Sequence, residues 1–214
     1  VLDDLLAAAS NKLDTAPTVA DDAGFWLYSS GSTGAPKGAV HLQSDLVNSA
    51  VLYGEGVLGI REDDIVFSAA KLFFAYGLGN GMSFPLHVGA TAVLMSGRPT
   101  PETVMAQLKQ HNPTIYYGVP TLYGAMLADD NCKPENGSNA MRACVSAGEA
   151  LPEDIARRWK ERFEVDILDG LGSTEMLHIF LSNAPDDLRY GTSGKAVPGY
   201  DLKLVGEDDL PVAQ

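Results

Sequence analysis

Short apolar runs alternate along this chain with longer segments in which apolar side chains recur at helical spacing. The runs that predict buried strands are residues 65–67, 92–95, 114–117, 142–146 and 165–168. Helices are expected between them, such as the one that begins at Thr100-Pro101 with a capping hydroxyl and a first-turn proline. This alternation favours an α/β fold with a mostly parallel sheet flanked by helices, in which ligands bind at the carboxyl ends of the strands.

A polar, glycine-rich segment, residues 28–38, lies between a predicted buried strand at 24–28 and a helix predicted from Leu42 to Val57. Its hydroxyls, glycines and lysine are Ser29, Ser30, Ser32, Thr33, Gly31, Gly34, Gly38 and Lys37. Glycine lets backbone N–H groups turn toward an anion, and hydroxyls and lysine add further donors. We therefore interpret it as a phosphate-binding loop, although its Pro-Lys-Gly ending differs from the common mononucleotide pattern. A flexible linker is the alternative.

Two further polar segments, residues 146–152 and 169–175, each follow a predicted strand. Parallel strands end at one edge of their sheet, so we expect both segments and the phosphate loop to share that edge. Strand-like stretches at 178–182 and 200–205 complete the prediction.

Charge and composition exclude some functions. The net charge of −13 argues against general nucleic-acid binding, which needs a basic face. No apolar run approaches the roughly 20 residues that span a bilayer, so we expect no membrane partner. Cys132 and Cys144 lack metal-ligand spacing, and the apparent lack of a signal peptide favours a cytoplasmic protein. His41, His87 and His111 lie on predicted helices or loops without a constellation of cysteines or carboxylates, so we expect no metal-ligand set among them.

Residues 28–38, Tyr-Ser-Ser-Gly-Ser-Thr-Gly-Ala-Pro-Lys-Gly, resemble the signature loop of acyl-adenylate-forming (AMP-binding) enzymes, the superfamily of acyl-CoA synthetases, nonribosomal-peptide adenylation domains and luciferases. The resemblance implies that this loop holds the β- and γ-phosphates of ATP. Residues 146–152 resemble the loop that stacks against adenine, which implies main-chain contacts at Ala147, Gly148 and Glu149.

Residues 169–175 resemble the second signature of that superfamily. The resemblance implies that the nucleotide is bound by Asp169, Gly170, Leu171, Gly172, Ser173 and Thr174. Thr174 would meet the α-phosphate, and Glu175 would help to hold Mg²⁺, a hard cation that prefers carboxylate oxygen. Lys37, Thr174 and Glu175 are thus the expected catalytic residues.

Residues 71–79 and 176–183 resemble the benzoate–CoA ligase branch, including its hydroxybenzoate and aminobenzoate relatives. The resemblance implies that Ala75, Tyr76 and Gly77 form a wall for the aromatic acid, with Leu171 and His178 nearby. Flat glycine and aromatic surfaces suit a planar ring. The alternative is that these segments pack in the apolar core and that His178 is a structural histidine.

The resemblance implies ATP-dependent activation of benzoate or a substituted benzoate through acyl-AMP to acyl-CoA, with ATP, Mg²⁺ and coenzyme A as cofactor and co-substrates. Two alternatives stay open: an adenylation domain that loads a carrier protein, and a non-catalytic nucleotide-binding module. Residues 1–20 are expected to form a helix and linker, 21–205 the central portion of the AMP-binding domain, and 206–214 a tail. The family's ribose-binding Thr-Gly-Asp segment and C-terminal domain have no match, so we expect a fragment with little activity of its own.

Overall fold

The structure of the chain is a computed structural model, which describes residues 2–30 and 34–212. Its strands are β1 (Ala23–Ser29), β2 (Lys37–Leu42), β3 (Ile65–Ser68), β4 (Thr91–Val93), β5 (Ile115–Gly118), β6 (Ala143–Ser146), β7 (Ile167–Gly172), β8 (Ile179–Ser182) and β9 (Lys195–Ala196). Its α-helices are α1 (Leu2–Ala8), α2 (Gln43–Ser49), α3 (Ala75–Leu78), α4 (Phe84–Val88), α5 (Pro101–His111), α6 (Pro120–Ala128) and α7 (Glu153–Phe163). π-helical segments follow α2 (Ala50–Glu55) and join α3 to α4 (Gly79–Ser83), and Pro134–Asn136 forms a 3₁₀ turn.

A seven-stranded sheet in the order β4-β3-β5-β6-β7-β8-β9 organises the chain. The strands from β4 to β7 in this order run parallel, and β8 and β9 pair antiparallel at one edge. The predicted α/β fold with a mostly parallel sheet is therefore confirmed. Its parallel strands end at the edge where the polar segments were expected.

Helices cover both faces of the sheet, which explains why its strands are apolar almost throughout. Alternate residues of β5 enter opposite cores. Tyr116 packs with Trp159 of α7 in one core, and Tyr117 packs with Tyr53 of the π-helical segment in the other. All four side chains are fully buried.

Local signals located several elements correctly. Helix α5 begins at Pro101, and the hydroxyl of Thr100 accepts a hydrogen bond from the backbone N–H of Thr103 at 3.2 Å. The expected strands at 65–67, 114–117, 142–146 and 178–182 correspond to β3, β5, β6 and β8. The expected amphipathic helix in residues 1–20 forms as α1, but its leucines are exposed.

The strand predicted at 24–28 forms as β1, but the prediction that it is buried was wrong. Strand β1 pairs with β2 in a separate antiparallel hairpin, and Trp26 is 56% exposed and Tyr28 72% exposed. A two-stranded hairpin that packs through one face leaves alternate residues uncovered, whatever their hydrophobicity. The phosphate loop therefore connects two hairpin strands rather than following a strand of the parallel sheet.

Other boundaries also differ from prediction. Lys37 and Leu42 belong to β2, so the following helix begins at Gln43. The segment 169–172 is the end of β7 rather than a loop, because glycine there lets β8 approach: a Cβ on Gly172 would lie 2.6 Å from the carbonyl oxygen of His178. The expected strand at 200–205 is absent from the described residues, and β9 forms the sheet edge instead.

None of the helices in residues 2–30 and 34–212 is both long enough and apolar enough to traverse a membrane.

Candidate active site

A cavity of about 280 Å³ opens at the carboxyl ends of the parallel strands. Residues at or just beyond the ends of β3, β5, β6 and β7 contribute to its lining: Ala70, Val119, Ala147, Gly148, Gly172, Ser173 and Thr174. This is the position at which open α/β sheets bind ligands, because the strand-to-helix loops meet there. The cavity therefore joins two of the polar segments singled out in the sequence.

Aromatic and small side chains form the other wall of this cavity, which Phe74, Ala75, Tyr76 and His178 line. The hydroxyl oxygen of Tyr76 lies 3.1 Å from the carbonyl oxygens of both Gly118 and Val145. Burial raises the pKa of Tyr76 well above its ordinary value, so its hydroxyl remains a neutral donor. The ring is thereby fixed against the ends of β5 and β6.

His178 is held in one orientation and one protonation state. Its Nε2 lies 3.0 Å from Asn80 Oδ1 and 3.3 Å from the carbonyl oxygen of Tyr76, so Nε2 carries the proton and donates. Burial lowers the pKa of His178 to about 3, which keeps the ring neutral. Gly79 permits this packing, since a Cβ there would lie 2.8 Å from His178 Nε2 and 2.9 Å from Phe84 Cζ. His178 is thus both a packed core histidine and part of the cavity wall.

The loop after β6 approaches the cavity through its backbone. Ala147 is buried and Gly148 has a φ of 94°, a left-handed conformation that favours glycine. Both residues line the cavity, whereas the neighbouring Glu149 is exposed and does not.

The turn after β7 presents two neighbouring side chains to different cavities. Thr174 lines the cavity at the strand ends, and Glu175 lines a second one of about 320 Å³. Within the described part of the chain, no side chain or backbone group pairs with the Glu175 carboxylate. Leu177 closes the turn with a φ of 64°, a conformation that surrounding contacts must maintain in a non-glycine residue.

Some predicted site residues lie outside the cavity lining. Leu171 is 51% exposed. The backbone of Gly77 packs so closely against that of Lys71 that a Cβ on Gly77 would lie 2.6 Å from the Lys71 carbonyl carbon. Gly170 packs in the same way against Ile179. Asp169 turns inward: its Oδ2 accepts a hydrogen bond from Ser193 at 3.0 Å, and burial raises its pKa to about 6.

The phosphate loop is described at its two ends. Ser29, the last residue of β1, pairs with Lys37, the first residue of β2, and Ser30 and Gly34 flank the tip. Gly31, Ser32 and Thr33 lie outside the described residues. Lys37 is exposed, and no described group forms a hydrogen bond or ion pair with its ammonium group.

His41 is a site residue that the sequence interpretation missed. It is 2% exposed, and its Nε2 lies 2.8 Å from the carbonyl oxygen of Thr174. Asp45, four residues further on, approaches its other nitrogen, Nδ1, at 3.3 Å. The spacing to Asp45 is visible in the sequence, but no local pattern indicates a contact with a residue 133 positions away.

A parallel sheet with a cavity at its carboxyl edge and glycine-rich segments around that cavity is an arrangement in which α/β proteins bind nucleotides. The chain belongs to the family of AMP-binding enzymes, whose model matches residues 2–214. Among its curated relatives, the benzoate–CoA ligase of Thauera aromatica is 67% identical over 208 residues, covering 97% of this chain and 39% of that ligase. The 4-hydroxybenzoate–CoA/benzoate–CoA ligase of Rhodopseudomonas palustris is 51% identical over 212 residues, covering 99% of this chain and 39% of the relative.

Solved structures agree with the fold. The benzoate CoA ligase of Burkholderia xenovorans LB400 superposes with a TM-score of 0.93 at 52% identity, covering 100% of this chain and 42% of that one. An anthranilate CoA ligase in complex with anthranoyl-AMP gives 0.95 at 42% identity, covering 100% of this chain and 41% of that one. The chain thus spans about two fifths of the length of the relatives it matches.

Proposed function

We propose that the full-length protein activates an aromatic carboxylic acid, benzoate or a substituted benzoate, through acyl-AMP to its CoA thioester, releasing AMP and pyrophosphate. The observation that carries the proposal is a single cavity with an aromatic wall (Tyr76, His178) and a nucleotide-side wall (Gly148, Thr174). The names of the relatives in Thauera aromatica and Rhodopseudomonas palustris support the same substrate class.

The dimensions and polarity of the cavity suit a planar ring. A cavity of roughly 150 Å³ is enough to bind benzene in a protein, and this one measures about 280 Å³. Because His178 is neutral, the aromatic wall offers no charge to the carboxylate of the acid. The ring would therefore occupy that wall, and the carboxylate would point toward Thr174 and the nucleotide.

The proposed chemistry needs positioning and positive charge rather than a nucleophile from the protein. A carboxylate oxygen attacks the α-phosphorus of ATP and pyrophosphate leaves; the thiol of coenzyme A then attacks the acyl carbon and AMP leaves. Thr174 and the backbone at Gly148 would orient the acid and the α-phosphate. Lys37 would offset charge on the departing pyrophosphate, since no described group neutralises its ammonium.

Glu175 is the residue that would hold Mg²⁺. Its carboxylate is exposed beside Thr174, and Mg²⁺ is usually bound through one or two carboxylates together with phosphate oxygens. Bound Mg²⁺ would supply neutralisation of phosphate charge. Across the residues that the structure describes, no three His, Cys, Asp or Glu side chains converge on a metal position.

The substrate class is tested by assaying the full-length protein with benzoate, hydroxybenzoates, aminobenzoate and cyclohexanecarboxylate. We expect acid-dependent ATP–pyrophosphate exchange and CoA thioester formation with at least one aromatic acid, and weaker rates with the non-planar ring. Exchange without a thioester on CoA would favour a carrier-loading adenylation enzyme. Nucleotide binding without exchange for any acid would favour the non-catalytic module.

The phosphate-loop assignment is tested with Lys37→Ala in the full-length protein. We expect ATP–pyrophosphate exchange to fall by about 10-fold to 100-fold, since one well-placed charge is removed from the developing leaving group. Lys195→Ala is the matched control, because Lys195 is an exposed lysine on the edge strand β9, paired with Asp187. Equal exchange rates for the two variants would contradict the assignment.

A further inference from the structure

His41 links the two segments that the proposed function assigns to the nucleotide. It is the fifth residue of β2, the strand that begins at Lys37, and its Nε2 reaches the carbonyl oxygen of Thr174 at 2.8 Å. A carbonyl oxygen only accepts hydrogen bonds, so Nε2 carries the proton and donates. We infer that His41 is a positioning residue that fixes the turn 173–177 for nucleotide binding and couples it to the strand that begins at Lys37. This inference rests on the proposed function of that site.

His41 matters to the turn because few other hydrogen bonds hold it. Its remaining hydrogen bonds are short-range: the backbone N–H of Met176 donates to Ser173 Oγ and that of Leu177 to the Thr174 carbonyl, both at 3.2 Å. The backbone N–H of His178 donates to the Met176 carbonyl at 2.8 Å. Among the described residues, only His41 forms a hydrogen bond with the turn 173–177 from a position outside the neighbouring sequence, residues 172–179. Leu177 holds a left-handed backbone conformation, which is unfavourable for a non-glycine residue. Contacts from outside the turn must therefore stabilise this conformation.

The imidazole itself is well oriented for this role. The ring of Phe25 stacks on it with a centroid distance of 5.1 Å and an interplanar angle of 25°. Asp45 Oδ2 lies 3.3 Å from Nδ1 and also accepts the backbone N–H of Leu42 at 2.9 Å. The stacked ring of Phe25 and the hydrogen bond to Thr174 therefore fix the orientation of the imidazole, and Thr174 is the group that it positions.

The same contact connects strand β2 to the turn after β7. Lys37 and His41 belong to one six-residue strand that is paired along its length with β1, so the positions of the two side chains are fixed relative to each other by one element. The carbonyl of Thr174 faces His41, while the residue also lines the cavity at the strand ends and Glu175 shares the second cavity with His41. Occupation of the phosphate loop would thus be linked to the position of Thr174 and Glu175.

The test compares His41→Phe and His41→Gln in the full-length protein. Phenylalanine keeps a ring that can stack on Phe25 but removes the N–H donor, and glutamine restores a donor without the ring. We measure the KM for ATP and for benzoate in ATP–pyrophosphate exchange, the Kd for trinitrophenyl-ATP and the Tm. For His41→Phe we expect the KM for ATP and the Kd to rise about 10-fold, the size of one buried hydrogen bond, with the benzoate KM within about two-fold. His41→Gln should recover most of the loss.

Several outcomes would overturn the inference. An unchanged ATP KM and Kd in His41→Phe would remove the positioning role. An equal rise in both substrate KM values with a lowered Tm and no rescue by glutamine would assign His41 to structure alone. If the wild-type protein shows no exchange with any aromatic acid, the proposed function fails, yet the comparison of trinitrophenyl-ATP Kd values still decides the role of His41.

Discussion

Replacing His178 should change how the stability of the protein depends on pH. The imidazole is 3% exposed, and burial lowers its pKa from 6.5 to about 3. The unfolded chain therefore binds a proton below pH 6.5 that the folded chain does not accept. The contribution of His178 to stability is complete above pH 6.5 and is lost as the pH falls toward 3.

The size of the effect follows from these two pKa values. Linkage gives a loss of about 2 kcal/mol in the free energy of unfolding between pH 7 and pH 5 from this one group. His178→Gln removes the titrating group, so the variant should lose about 2 kcal/mol less than the wild-type protein over that interval. Asp169, whose raised pKa acts in the opposite direction, is present in both proteins and cancels in the comparison.

The assay is chemical denaturation of the full-length protein and its variants at pH 7 and pH 5. Trp159→Phe is the matched control, because it removes packing from the opposite core without removing a titrating group. Its pH dependence should equal that of the wild-type protein. If His178→Gln also shows the wild-type pH dependence, the imidazole is not held neutral by burial and the interpretation of the aromatic wall is refuted.

Two further substitutions test the fold and the cavity. Arg142→Met should lower the free energy of unfolding by about 3–5 kcal/mol, because it leaves the carboxylate of Asp64, which is 1% exposed and lies 2.6 Å from Arg142 Nη2, without its partner. A loss below about 1 kcal/mol in denaturant unfolding would contradict this. Gly79→Ala should displace His178 and so reduce kcat/KM for the aromatic acid at least about 10-fold, while the Kd for trinitrophenyl-ATP stays within about two-fold. Equal losses for the acid and the nucleotide would show that the effect of Gly79 is not confined to the aromatic wall.

The sequence was sufficient to predict the parallel sheet and the meeting of several segments at its edge. Alternating apolar and helical patterns identify strands, and parallel strands end on one side, so residues after β6 and β7 are brought together by topology alone. Tyr76 and His178, 102 positions apart, line the same cavity, whereas Gly77 and Leu171 do not, and the role of this group toward an aromatic acid stays a prediction. The positions of these side chains thus follow from fold rules together with short motifs.

Contacts that no local pattern encodes could not be predicted. An apolar run indicates a strand but not its partner, so the separation of β1 and β2 from the main sheet was missed. Nor does the motif containing Asp169 reveal that its carboxyl group turns inward to Ser193. The same limitation hid the role of His41, since its hydrogen bond depends on how the hairpin packs against the turn after β7.

The hydroxyl of Tyr76 has a consequence for how a protein of this kind could change its substrate. The same side chain borders the cavity proposed for the acid and contacts the carbonyls of two neighbouring strands, at Gly118 and Val145. A substitution there would alter selectivity and loosen the sheet at once. Ala75 borders the same cavity without such contacts. New acid preferences are therefore expected to evolve first at Ala75, where a mutation leaves the framework intact.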